Sequence, residues 1–229
     1  SKSPYGAIAM SPDPFEIIPQ VLLLGSLLVV LYTYAGYPFV LWVWGLCQRR
    51  TVLRASMTPP VSIVIAAWNE APRLAARIEN CLKQEYPFDR LEVIVASDGS
   101  SDQTESVVRG CDARQQFSLT AVADLVANFS DPSVGAVSGE LILESDPENT
   151  GAEGVGMYWK LEKWIRRKES ETGSVVGVTG AIYAIRRALF TPLPPGTILD
   201  DLLVPMRIAM KGYRVLFEVR AKAYDRVSR

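Results

Sequence analysis

Histidine is absent from all 229 residues, which removes the imidazole from any chemistry this chain can perform. Ser-His-Asp and Cys-His nucleophilic sites and His-ligated zinc are thereby excluded, leaving carboxylates as the natural acids, bases and metal ligands. Cysteine is scarce: Cys47, Cys81 and Cys111 are scattered, odd in number and without a C-x-x-C. That pattern fits reduced thiols facing the cytoplasm rather than a disulfide framework. Neither sign of charge is in excess, with 24 basic against 25 acidic residues and a net charge of −1, so no global electrostatic case exists for a nucleic-acid partner. No G-x-G-x-x-G follows the first strand-like run and no G-x-x-x-x-G-K-S/T occurs, which weakens dinucleotide and P-loop readings. Internal repeats and low-complexity blocks are also missing. The length suits one sizeable globular domain plus extras.

What is present begins with an apolar run. Val21 to Cys47 carries no charge over 27 residues, and as a helix it would extend roughly 40 Å, beyond the roughly 30 Å apolar core of a bilayer. It can span with tilt. Tyr32, Tyr34, Tyr37, Trp42 and Trp44 supply interfacial anchors, and Pro38 is expected to kink the helix. Arg49, Arg50 and Arg54 follow it whereas Asp13 and Glu16 precede it, so the positive-inside bias places the following domain in the cytoplasm, at the cell (inner) membrane. A cleaved signal peptide would be shorter and would not end in arginines; a buried core helix of this length would not be apolar on every face. The expected organisation is a tail over 1–14 with no assigned function, a transmembrane helix over 15–48, a linker over 49–60 ending in Pro59-Pro60, and a cytoplasmic domain over 61–229.

Val61 to Ala66 and Leu91 to Ala96 are short β-branched apolar runs that read as interior parallel strands. Between them, Leu74, Ile78, Cys81 and Leu82 recur at helical spacing over Ala71 to Gln84, completing one βαβ unit. Asp98 and Gly99 lie directly past the second strand, where an open α/β sheet binds its ligand. A carboxylate at such a tip accepts hydrogen bonds from ribose hydroxyls or a base amide. A plain turn, with Ser100 and Ser101 capping the next helix, explains the same residues.

A-A-W-N-E at Ala66 to Glu70 and S-D-G-S-S-D at Ser97 to Asp102, spaced across one βαβ unit, resemble the opening motifs of inverting family 2 glycosyltransferases. The likeness is nearest to the membrane-bound branch with cellulose, chitin and hyaluronan synthases. It implies an α/β fold of the nucleotide-diphospho-sugar transferase type (GT-A, Rossmann-like) with a mixed sheet, here preceded by a transmembrane helix. It also implies that Ala67, Asn69, Glu70 and Asp98 bind the nucleotide-sugar donor, with Asp98 contacting the nucleotide. Asp112-Ala113-Arg114 resembles the D-x-D motif that holds a divalent cation against the donor diphosphate, except that Arg114 replaces the second acid. Asp112 would then supply one ligand to Mg²⁺ or Mn²⁺, and Arg114 would pair with the diphosphate or simply form a surface ion pair. On its own, Asp112 reads as an ordinary loop acid.

The family pattern also exposes an anomaly. Only Gly110 and Cys111 separate the helix beginning near Thr104 from Asp112, where a further strand, helix and strand are expected. Either the chain lacks central strands, or Gly110 and Cys111 flank a segment of the fold; the intact flanks favour the second.

Downstream, Leu119 to Phe129 reads as a short amphipathic helix and Val134 to Glu144 as strand, with Gly139 at a bend or close approach. Over Val155 to Ser170, Met157, Tyr158, Leu161, Trp164 and Ile165 form one helical face, while Lys160, Lys163, Arg166, Arg167 and Lys168 form a basic one. Core packing with a solvated basic face, a membrane-surface helix and a helix bordering an acceptor channel all fit. V-T-G-A-I-Y-A-I-R-R at Val178 to Arg187 resembles a pocket-lining family segment, which puts Thr179 and Gly180 in contact with substrate. Ile198-Leu199-Asp200-Asp201-Leu202 resembles the Thr-Glu-Asp or Gly-Asp-Asp element, with Asp200 in the substrate site and Asp201 as catalytic base. Attack by a sugar hydroxyl on an anomeric carbon needs such a proton acceptor; N-capping of the helix to Met210 is the structural alternative.

The expectation is a membrane-anchored inverting glycosyltransferase, a hexosyltransferase of family 2. It would move a sugar from a nucleotide-diphospho-sugar, UDP-linked by preference, to a growing polysaccharide or lipid-linked glycan at the bilayer. A polyprenyl-phosphate glycosyltransferase of the same fold is one rival. A catalytically inactive nucleotide-sensing or assembly subunit at the membrane is another, favoured by Arg114 and by the short middle.

Overall fold

The computed structural model describes residues 14–67, 71–97, 115–144, 152–194 and 196–226. The chain divides into two compact units, Ser1–Cys47 and Gln48–Arg229.

The first unit is helical throughout its described part: α1 (Pro14–Leu31), a π turn (Tyr32–Gly36) and α2 (Tyr37–Cys47). Pro38 has no amide hydrogen, so the carbonyl four residues before it, that of Tyr34, loses its helical donor. The backbone answers with a wider π turn just upstream, a common accommodation inside α-helices. Ile17–Cys47 is long and apolar enough to cross a membrane, and none of it is buried in the protein. Its serine and threonine hydroxyls are satisfied within the helix, Ser26 Oγ donating to Leu23 O and Thr33 Oγ1 to Val29 O, both at 2.8 Å. That internal pairing lowers the cost of placing them in hydrocarbon.

The second unit opens with β1 (Val61–Ala67), α3 (Ala71–Leu82) and β2 (Leu91–Ser97). β1 and β2 pair in parallel from Val61↔Leu91 to Ala67↔Ser97, as the βαβ reading requires. Leu74 and Cys81 of α3 are buried, but Leu82 is exposed. The strands are not interior: Val64 is 65% and Ile94 45% exposed, and Ser62, Ala66, Glu92 and Ala96 on the same face are exposed too. Among the described residues only the opposite face is packed, with Val61, Ile63 and Leu91 against Tyr86 and the helix residues Val122 and Val126. Parallel strands are normally covered on both faces. An added strand, helix and strand would have this bare face to pack on, but the Gly110–Cys111 junction lies outside the described residues.

The remaining elements are β3 (Gln115–Phe117), α4 (Ala121–Val126) continuing as a 3₁₀ turn (Ala127–Ser130), β4 (Val134–Glu144), α5 (Ala152–Thr172), β5 (Tyr183–Ile185), α6 (Asp200–Met210) and β6 (Arg214–Arg226). They build a four-stranded sheet of order β3-β6-β4-β5. β4 and β6 run parallel while the other pairs are antiparallel, giving the expected mixed sheet. Period-2 alternation sorts β6 onto two cores. Leu216 faces α4 with Val137 and Leu125, whereas Val215 and Phe217 face α6 with Val204 and Ile208.

The β4–β6 register shifts between Ser138↔Phe217 and Glu140↔Lys222, so four residues of β6 bulge opposite Gly139. A Cβ on Gly139 would lie 2.5 Å from Ala221 O, which is why the chain has glycine at this approach. The bulge is held by Glu218, almost fully buried. Its carboxylate accepts from the Arg220 backbone N and Nε at 3.1 and 3.0 Å and from Asn128 Nδ2 at 3.0 Å, and Arg54 lies 3.2 Å away.

Arg54 belongs to the expected linker, which proves to be part of the domain. Arg50 N donates to Glu171 O at 2.9 Å, Ala55 N to Ser130 Oγ at 3.0 Å, and Arg54 Nε to Asn128 Oδ1 at 3.0 Å. The polar composition that suggested a tether instead supplies a strap across the domain surface.

Candidate active site

Three segments far apart in sequence meet around one cleft. Val178 to Ile182 is pinned by backbone bonds: Val178 N donates to Asp201 O at 3.0 Å, Thr179 N to Ser138 Oγ at 2.9 Å, and Gly139 N to Ile182 O at 2.9 Å. Sheet and segment thus place Gly180 beside Asp201, whose Oδ2 would lie 4.0 Å from a Cβ on Gly180. Glycine leaves that side of the carboxylate open.

Asp200 and Asp201 occupy the first turn of α6, one and two positions inside the cap, which is Leu199 and makes no side-chain cap hydrogen bond. N-capping therefore does not account for Asp201. The helix dipole still favours negative charge there, and the carboxylate lines a cleft of about 220 Å³ together with Thr179, Gly180, Glu140, Phe217 and the α5 residues Trp159, Glu162, Lys163 and Arg166.

The α5 side corrects the expected helix faces. Met157 and Tyr158, core residues under the core-packing alternative, are exposed, while Lys163 and Arg166, solvated under that alternative, line the cleft. Lys163 Nζ sits 2.6 Å from Glu140 Oε1, and Arg166 pairs with Glu162 at 2.5 Å and donates from Nη1 to Thr179 Oγ1 at 3.0 Å. Trp159, Glu162, Lys163 and Arg166 fall at i, i+3, i+4 and i+7, a single helical face. The signal was in the sequence but was masked by grouping residues by charge.

Tyr183 was also missed. Burial pushes its phenol above its ordinary pKa, and the negative charges of Asp200 and Asp201 push it further, so it stays a neutral hydroxyl close to the carboxylate pair. Expected site residues Thr179, Gly180 and Asp201 come together, Asp200 sits beside them at the helix start, and Ala67 closes β1. Asn69, Glu70, Asp98, Asp112 and Arg114 lie outside the described residues. Among the described residues no three acidic or thiol groups gather to hold a metal ion.

This architecture has counterparts. Residues 62–118 match the family model described as glycosyl transferase family 2. That match spans 57 of the 229 residues, a segment similar to family 2 glycosyltransferases. It is 19% identical over 204 aligned residues to a poly-beta-1,6-N-acetyl-D-glucosamine synthase of Staphylococcus aureus, covering 72% of this chain and 49% of the relative. It is 28% identical over 138 residues to the probable glycosyltransferase YdaM of Bacillus subtilis, covering 57% of this chain and 32% of that protein. The chain thus spans about half the length or less of these curated relatives. Among solved structures, a mannosyltransferase from Pyrobaculum calidifontis in complex with GDP-Man and Mn²⁺ superimposes with a TM-score of 0.67 at 22% identity, covering 88% of this chain and 68% of that one. The likeness gives this unit a GT-A-like fold, with the mixed sheet described above.

Proposed function

We propose that this domain is an inverting family 2 transferase that moves a sugar from a nucleotide-diphospho-sugar, UDP-linked by preference, to a hydroxyl of a growing glycan, with Asp201 as general base. The observation that carries this reading is the Asp201 carboxylate, free of capping duty and facing a cleft beside Gly180. In the step, the acceptor O–H gives its proton to Asp201 as its oxygen bonds the anomeric carbon. The bond from that carbon to the diphosphate breaks and the electron pair leaves with the nucleoside diphosphate. A positioned base of this kind contributes typically about 10²- to 10⁴-fold.

Asp98 at the tip of β2 would hold the nucleoside, with Ala67, Asn69 and Glu70 beyond β1 completing the donor side. The Mn²⁺ of the mannosyltransferase neighbour supports a divalent ion here, Mg²⁺ or Mn²⁺, with Asp112 as its protein ligand and Arg114 near the diphosphate. Such an ion would neutralise charge on the leaving diphosphate. Anchoring by Ile17–Cys47 with the domain on the cytoplasmic side rests on that helix and the arginines after it.

A single assay addresses donor and anchoring together. Carbonate-washed membranes containing the protein are incubated in turn with radiolabelled UDP- and GDP-sugars. Label is expected in glycan product from a UDP-sugar and to stay with the washed membranes. Transfer from GDP-sugars alone would move the donor assignment, and activity released by carbonate would remove the anchor. Binding of nucleotide sugars without any transfer would favour the inactive-subunit reading.

A further inference from the structure

The last turn of α5 and the strap beside it gather more positive charge than they neutralise. Arg167 and Lys168 sit 3.2 and 2.8 Å from the Glu171 carboxylate, and Arg49 of the strap reaches the same group at 4.0 Å. Burial pushes the Glu171 carboxyl upward, but the hydrogen bonds and charges of Lys168 and Arg167, with the charge of Arg49, hold it below its ordinary value. It therefore counts as one full negative charge shared by three cations. Arg50 adds a fourth, fixed here because its backbone N donates to Glu171 O at 2.9 Å. Behind them Arg214, almost fully buried, donates to the carbonyls of Ser170 and Gly173 at 2.9 and 3.1 Å. Such carbonyls carry the negative end of a helix dipole, so Arg214 answers the part of the helix that would otherwise offset the cations, while its own charge faces Asp131. Glu169 lies two residues past Arg167, a rotation of about 200° that puts it on the other side of α5. Five cations thus meet two carboxylates, and the side chains of Arg49 and Arg167 are 69% and 62% exposed.

A solvated basic face needs no particular place in the chain, and this one has a particular place. Arg49 and Arg50 are the second and third residues after Cys47, where the apolar helix of membrane length ends. Three residues of chain extend no more than about 11 Å, comparable with the Debye length of about 8 Å over which the negative surface potential of a bilayer acts. We propose that the strap arginines Arg49 and Arg50 and the α5 cations Arg167 and Lys168 form one docking surface for the phosphates of anionic lipid headgroups. The headgroups supply the negative charge that the cluster lacks. By bridging strap and helix they also keep the end of α5, the helix that brings Lys163 and Arg166 to the cleft, on the membrane surface. The inference rests on the anchoring reading above, is independent of donor and acceptor, and adds to that reading the lipid class and the residues that meet it.

The test is hydrogen exchange of the full-length protein in lipid nanodiscs, made either of phosphatidylcholine alone or with an equal part of phosphatidylglycerol. Opening the strap breaks the Arg50–Glu171 backbone bond and releases the α5 cations from the surface. Exchange over 48–55 and 167–173 is therefore expected to slow at least about fivefold in the anionic discs, the factor that about 1 kcal/mol for one basic side chain at such a surface represents. The slowing should fade in about 1 M salt, where the Debye length falls to about 3 Å. It should be lost when Arg49→Gln and Arg167→Gln are combined and largely kept when Arg49→Lys and Arg167→Lys are combined, because the headgroups meet the charge. Both side chains are mostly exposed, so neither pair of changes threatens the fold. Equal exchange in the two kinds of disc, equal slowing by inorganic phosphate in neutral discs, or loss of the effect in the lysine variant as well overturns the inference. Failure of the protein to enter either disc overturns the anchoring reading with it, and none of these results touches the transferase.

Discussion

Asp201→Asn is expected to lower sugar transfer by about 10²- to 10⁴-fold while leaving donor affinity within about twofold. The amide matches the carboxylate in shape, so Val178 N still meets the backbone carbonyl of residue 201 and the start of α6 is undisturbed. What it loses is the capacity to take the acceptor proton. The comparison is made by radiolabel transfer at saturating donor, with nucleotide-sugar binding measured separately by calorimetry. A variant retaining near-full turnover would make Asp201 a residue that only stabilises its helix N-terminus, an effect on the order of 0.3–1 kcal/mol in stability and nothing in rate.

Glu218→Ala is expected to cause the largest loss of stability in the domain. Burial pushes the Glu218 carboxyl upward most strongly, but hydrogen bonds from Arg220 and Asn128, with the nearby charge of Arg54, together outweigh it and hold the group below its ordinary 4.5. Removing one partner of a buried pair costs roughly 3–5 kcal/mol; because the side chains of Arg54 and Arg220 are about half exposed and can rehydrate, about 3 kcal/mol is the better expectation. For a domain of this size that is a Tm lower by roughly 6–12 °C, readable by calorimetry. The pH dependence follows in sign. A carboxylate with a depressed folded pKa contributes fully above its unfolded value and loses that contribution as pH falls through the folded one. Wild-type stability should therefore fall on the acid side of 4.5, and in Glu218→Gln this part of the fall should vanish. A Tm shift under about 2 °C for the alanine variant would mean that the β6 bulge does not depend on Glu218.

The parts of the fold set by local pattern were legible. The β-branched runs gave β1 and β2, Asp200 to Met210 formed a helix with both bounds as expected, and Gly139 marked the bulge because close backbone approach excludes a side chain. What depends on tertiary partners was not. The apolar residues Val64 and Ile94 promised burial on both strand faces, yet strand composition cannot say which neighbouring elements will cover a face. The strap from Arg50 to Ala55 looked like a tether because its backbone partners, Glu171 and Ser130, lie some 75 to 121 residues away.

The candidate site divides the same way. Motif resemblance singled out Thr179, Gly180 and Asp201, and the three line one cleft. It did not single out Trp159, Lys163, Arg166 or Tyr183, because their neighbours Glu140, Thr179 and the Asp200–Asp201 pair are brought near them only by the fold.

The most direct measurement of the mechanism is the anomeric configuration of the product, read by proton NMR from the coupling constant at the newly formed glycosidic carbon. A single displacement with Asp201 as base predicts a β-linked product from an α-linked nucleotide sugar. A product that keeps the α configuration would require two displacements and would contradict the role assigned to Asp201.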